Sequence, residues 1–106
     1  MTIMQGDSYP IQITLAANDG TPITSDQVLA LRVTLGPITK EYPDGITYDD
    51  GVFYFPMSQE ETFGLSGILD LKARIMTEEE EVDGVSLGKV FIIKSDDKEE
   101  IPGVIL

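Results

Sequence analysis

Leu69-Asp70-Leu71-Lys72-Ala73-Arg74-Ile75 alternates apolar and charged side chains without a break. Successive side chains of an extended strand point to opposite sides, so Leu69, Leu71, Ala73 and Ile75 share one face and Asp70, Lys72 and Arg74 the other. Such a strand covers a core on one side and meets water on the other, as strands of antiparallel sheets do. The alternation stops at Glu78-Glu79-Glu80-Glu81. Four consecutive carboxylates put charge on both faces, and that segment cannot lie over a core. Asp83-Gly84, flanked by Val82 and Val85, reads as a two-residue hairpin turn. Residues 68–94 are therefore expected to form one hairpin whose acidic tip projects into solvent. On the return limb, Val85 to Lys94, the phase shifts near Gly88: Val85 and Leu87 share a face, whereas Val90-Phe91-Ile92-Ile93 is apolar on both. Either a bulge at Gly88 or a strand buried on both sides accounts for that shift.

The same period recurs upstream. Tyr9, Ile11, Ile13 and Leu15 line one face of a strand, and Asn18-Asp19-Gly20 with Pro22 supplies the turn that follows. Leu29, Leu31, Val33 and Leu35 form a second apolar row, with Arg32 and Thr34 opposite. Gly36-Pro37 interrupts this strand, and Ile38 to Tyr42 is expected to continue it beyond a kink or bulge. Pro43-Asp44-Gly45 and Asp49-Asp50-Gly51 are turns around the short Ile46-Thr47-Tyr48, and Val52-Phe53-Tyr54-Phe55 is a further strand ended by Pro56. Ser58-Gln59-Glu60-Glu61 has the spacing of a capping box, and Gly64 arrives too soon for more than one or two turns of helix. A short helical corner at 58–63 is expected, followed by the Leu69–Ile75 strand. Ser95 to Glu100 is a polar break, and Ile101-Pro102-Gly103-Val104-Ile105-Leu106 is an apolar tail. Several short strands without a long helix point to an all-β fold, a β-sandwich formed by residues 1–106 as one domain.

Composition narrows the chemistry. The 106 residues include no His, Cys or Trp. A serine triad would lack its His base, and thiol nucleophiles, disulfides and zinc–thiolate sites are excluded. Paired carboxylates could serve a glycosidase, but with 19 acidic residues a chance pair is assured. The reading is therefore not an enzyme, and no cofactor is expected. With 19 acids against 7 bases the net charge is −12, which disfavours binding to nucleic-acid phosphates or to anionic membrane surfaces. No stretch approaches the ~20 apolar residues of a membrane helix, and the N-terminus has no basic or apolar leader. The chain is expected to be soluble and made in the cytoplasm.

Gln5-Gly6-Asp7-Ser8-Tyr9, followed by Asp19-Gly20-Thr21-Pro22-Ile23, resembles the opening of small immunoglobulin-like domains encoded by phages and prophages of Gram-positive bacteria. The N-terminal domain of some upper baseplate proteins is of this broad group. Phe55 to Leu65 resembles a second element of such proteins, a Ser-Gln-Glu-Glu-Thr corner before a strand ending in basic residues, here Leu69 to Ile75 with Arg74 in the basic place. The resemblance implies an immunoglobulin-like β-sandwich and a structural or assembly role in tail, baseplate or neck. Its expected partners are phage structural proteins or further copies of itself, and it implies no catalytic residues. The Glu78–Glu81 run is not part of the pattern. The competing reading is a small acidic inhibitory or regulatory protein that binds a basic enzyme, as a nucleic-acid mimic.

Three groups of residues are candidates for contact. Asp44, Asp49 and Asp50 offer hard oxygen ligands suited to Ca²⁺, but their spacing is not that of an EF-hand, and Asp and Gly are also what turns require. Glu78, Glu79, Glu80 and Glu81 either meet a basic partner or guard a hairpin end against strand addition. Ile101, Val104, Ile105 and Leu106 either supply a last edge strand or dock on a neighbouring subunit.

Overall fold

The computed structural model describes residues 1–16, 20–77 and 82–96. Its strands are Thr2–Met4 (β1), Ile11–Ile13 (β2), Val28–Leu35 (β3), Ile38–Tyr42 (β4), Thr47–Asp49 (β5), Val52–Phe55 (β6), Gly67–Thr77 (β7) and Val82–Ile93 (β8). They make a five-stranded sheet in the order β1-β8-β7-β3-β4 and a three-stranded sheet in the order β2-β6-β5. All pairings are antiparallel except β1 with β8, which is parallel. The protein is all-β, as expected. Helical turns among the described residues are confined to Gln59–Phe63 (α1) and a 3-10 turn at Ser25–Gln27. None is long and apolar enough to cross a membrane.

Alternation in β7 works as its sequence implies. Leu71, Ala73 and Ile75 are buried and Leu69 packs against them, while Asp70, Lys72 and Arg74 are exposed. Leu31, Val33 and Leu35 of β3 and Val90 and Ile92 of β8 complete this sheet's buried face. Ile11 and Ile13 of β2 and Phe53 and Phe55 of β6 belong to the same apolar cluster, so the two sheets share one core. Full burial of each large side chain contributes roughly 1.5–3 kcal/mol. Phe53 also meets Tyr42 edge-on at 5.4 Å between ring centroids and Tyr48 at 4.7 Å, which ties β4 to β5 and β6.

Four local expectations need correction. Leu29 is exposed rather than inward: Val28 pairs with Thr77 and Ala30 with Met76, so Leu29 is the extra residue of a bulge that reverses the phase of the strand's first turn. Ile38–Tyr42 does not extend β3 past a kink but folds back on it. Leu35 faces Ile38, leaving Gly36-Pro37 as a two-residue hairpin turn in which Gly36 takes φ +53°. Asp83-Gly84 is not a turn: both residues lie inside β8, paired with Ile75 and Arg74. Tyr9 stands outside the buried row that continues at Ile11, Ile13 and Leu15. The phase shift near Gly88 is resolved as a bulge. Leu71 faces Gly88 and Lys72 faces Ser86, so Leu87 is the inserted residue, and Gly88 has φ +105°. Beyond it Val90 and Ile92 point inward, and Phe91 and Ile93 are exposed.

The capping box forms as read. Ser58 Oγ accepts from the Glu61 amide at 3.1 Å, and Glu61 Oε1 accepts from the Ser58 amide at 3.0 Å. Lys40 of β4 donates to the same carboxylate at 3.0 Å and to the Pro56 carbonyl, with its ammonium 5.3 Å from the Phe55 ring centroid. Burial pushes the Glu61 pKa up, but the Ser58 amide and Lys40 outweigh it and hold the carboxyl below the usual glutamate value.

This corner meets the N-terminal segment. The fully buried Thr62 hydroxyl accepts from the Gly6 amide at 2.9 Å and donates to the Asp7 carbonyl at 2.8 Å. Gln5 Nε2 donates to the Leu65 carbonyl at 2.7 Å, and Gln5 Oε1 accepts from the Ser95 amide at 3.2 Å. Gly6, at φ +93°, lies under the Phe63 ring, where a Cβ would come within 2.9 Å of Cζ. Gln5-Gly6-Asp7 and Ser58–Leu65, quoted above for the resemblance, thus touch through buried hydrogen bonds and lock β1 against α1.

Candidate functional site: the outer face of the five-stranded sheet

The outward side chains of β1, β8, β7, β3 and β4 form one continuous surface. At one end Met4, Ile93, Phe91 and Ile68 are neighbours by register: Met4 pairs with Ile93, and Phe91 lies between Thr2 and Ile68. Ile68 is 61% exposed and the other three 45–46%. They point outward because Ile3, Leu69, Val90 and Ile92, in the opposite phase, fill the core. Scattered exposed apolar residues are ordinary, but these four are adjacent and form one apolar patch.

Next along the face comes Asp70, which accepts from Lys89 at 3.0 Å across β7 and β8. The hydrogen bond from Lys89 is the main reason its carboxyl lies below the usual aspartate range. Beyond that pair stand Lys72 and Arg74 of β7 and Arg32 of β3, with Thr34, Thr39 and Glu41, around a shallow depression. Arg32 is directly opposite Arg74, and Lys72 opposite Thr34. Arg32 is paired with Glu41 at 3.0 Å, both well exposed, and such a surface pair contributes little stability. Neither Lys72 nor Arg74 forms an ion pair among the described residues. Ala30, Met76 and Val82 edge the far end.

The face therefore carries Arg32, Lys72, Arg74 and Lys89, four of the chain's seven cations, against Glu41 and Asp70. Its described side chains sum to +2 on a chain of −12, leaving −14 for everything else. No protein-family model matches the chain, and no curated protein matches it.

The sequence-derived candidates lie elsewhere. Asp44 precedes β5, whereas Asp49 ends it and Asp50 begins the following turn. Among the described residues no group of three or more carboxylates is close enough together to hold a metal ion. Glu78–Glu81 and Ile101–Leu106 lie outside the described residues. Sequence alternation did put Arg32, Asp70, Lys72 and Arg74 outward. It could not show that β3 and β7 are neighbours, and that adjacency gathers the cations.

Proposed function

We propose that the chain is an immunoglobulin-like β-sandwich from a phage or prophage. It is a non-enzymatic structural or assembly component of the particle, associated with tail, baseplate or neck, and it acts through protein–protein contacts. The strand order supports the fold reading: β8-β7-β3-β4 corresponds to G-F-C-C′ and β2-β6-β5 to B-E-D of a variable-type immunoglobulin sandwich. Helix α1 then sits at the E–F corner. The phage origin rests on the resemblance of Gln5–Tyr9 and Phe55–Leu65. The observation that carries the contact role is the outward cluster Met4, Ile68, Phe91 and Ile93, beside a row of fixed charges. An apolar patch rimmed by charge is how a protein-binding face is built.

Mass spectrometry of purified particles after induction of the parent prophage tests this reading. Several copies per particle are expected. Absence from particles while the protein is abundant in the lysate would overturn the virion assignment in favour of an acidic regulatory or inhibitory protein acting on a basic enzyme.

A further inference from the structure

Arg32 and Arg74 stand directly opposite each other on neighbouring strands, with Lys72 on the same side. Like charges in facing positions of a sheet destabilise it, and a chain with only seven cations had many other places to put them. Glu41 offsets Arg32, but Lys72 and Arg74 form no ion pair among the described residues, and an anionic surface laid over them would supply one. We propose that this surface belongs to a second copy of the same chain, and that the copies associate head to tail. This deepens the assembly role proposed above and rests on it only for its biological setting.

Charge complementarity within one chain supports the choice of occupant. The outer face of the five-stranded sheet is basic at its centre and apolar at its ends. The described acids around the three-stranded sheet, Asp44, Asp49, Asp50 and Glu60, are all exposed and form no ion pair among the described residues. At physiological ionic strength screening acts over ~8 Å, so a contact senses the facing side chains more than the total charge of each copy. A two-fold, face-to-face contact centred on the basic cluster would set Arg32, Lys72 and Arg74 against their own counterparts. The head-to-tail arrangement sets them against carboxylates. A heterologous contact of this kind builds a ring if its rotation closes and a filament if it does not.

Sedimentation of the full chain, up to ~1 mM, the weak end of specific association, provides the test. The wild type is expected to exceed the monomer mass. Arg74→Glu should weaken association by about tenfold or more, yet raise the melting temperature, because an acid opposite Arg32 replaces a like-charge pair. That rise separates loss of contact from loss of fold. Asp49→Asn with Glu60→Gln should also weaken association, from the opposite side. Mixing the two variants in equal amounts should give dimers and nothing larger, since one intact basic face then meets one intact acidic side. A wild type that stays monomeric, association that survives Arg74→Glu, or a mixture that stays monomeric would overturn the proposal. None of these results bears on whether the protein is found in particles.

Discussion

Asp50-Gly51 turns the chain between β5 and β6 with φ angles of 45° and 85°, whereas Asp83-Gly84, the same dipeptide, runs extended through β8 opposite Ile75 and Arg74. The difference lies in what the flanking strands would have to bury. At the first site a two-residue turn pairs Asp49 with Val52 and leaves Phe53 and Phe55 facing the core. At the second, a turn at 83–84 would lengthen β7 through the acidic run. Period two would then aim Glu79 and Glu81 the same way as Leu71, Ala73 and Ile75, and unpaired carboxylates cannot be accommodated there. Turn chemistry is a local preference, and it yields to the burial pattern when the two conflict.

If the buried row holds the register of β7 against β8, the largest effect should come from cutting into it. Ile75→Ala is expected to lower stability by about 2–4 kcal/mol, as cavity-forming substitutions at buried isoleucine do, measured by urea denaturation. A loss under about 1 kcal/mol would mean that the row is not what fixes the hairpin. Gly51→Val tests the other member of the comparison. Its φ of 85° is one that side-chain-bearing residues rarely adopt, so the cost should be about 1–2 kcal/mol from backbone strain alone. An unchanged unfolding midpoint would show that the β5–β6 turn does not need the left-handed geometry.

The same contrast explains how far the sequence could be read. The buried rows of β2 and β7, the strand Val52–Phe55, the turn at Asp49-Asp50-Gly51 and the capping box at Ser58–Glu61 are all readable, because each is set by residues next to one another. The outward position of Leu29 is not, because the bulge exists only against Thr77 and Met76 of a distant strand. Gly36-Pro37 reads as a kink or bulge because Pro argues against a strand interior. Gly36 argues equally for the first central place of a two-residue hairpin turn, and only the pairing of Leu35 with Ile38 separates the two. The proposed contact face is half readable. Each cation could be placed outward, but the meeting of Arg32 with Arg74 needs the order of strands in the sheet.

Gly84→Val should have the smallest effect, and its sign carries the information. In β8 the residue lies opposite Arg74 on an exposed stretch of strand, its φ is not in the left-handed region, and a Cβ there would meet nothing within 4 Å. Glycine inside a strand costs roughly 0.5–1 kcal/mol relative to alanine, and a β-branched residue suits an extended backbone. The substitution should therefore be neutral or raise stability by up to about 1 kcal/mol, a gain of about 4–8 °C in melting temperature for a domain of this size. Were Asp83-Gly84 a turn after all, with a positive φ at glycine, the same change would destabilise by an amount like that at Gly51. A thermal melt of the pair Gly51→Val and Gly84→Val thus weighs the two dipeptides directly. Destabilisation at Gly51 with none at Gly84 is expected, and a destabilisation of similar size in both would return the turn to residues 83–84.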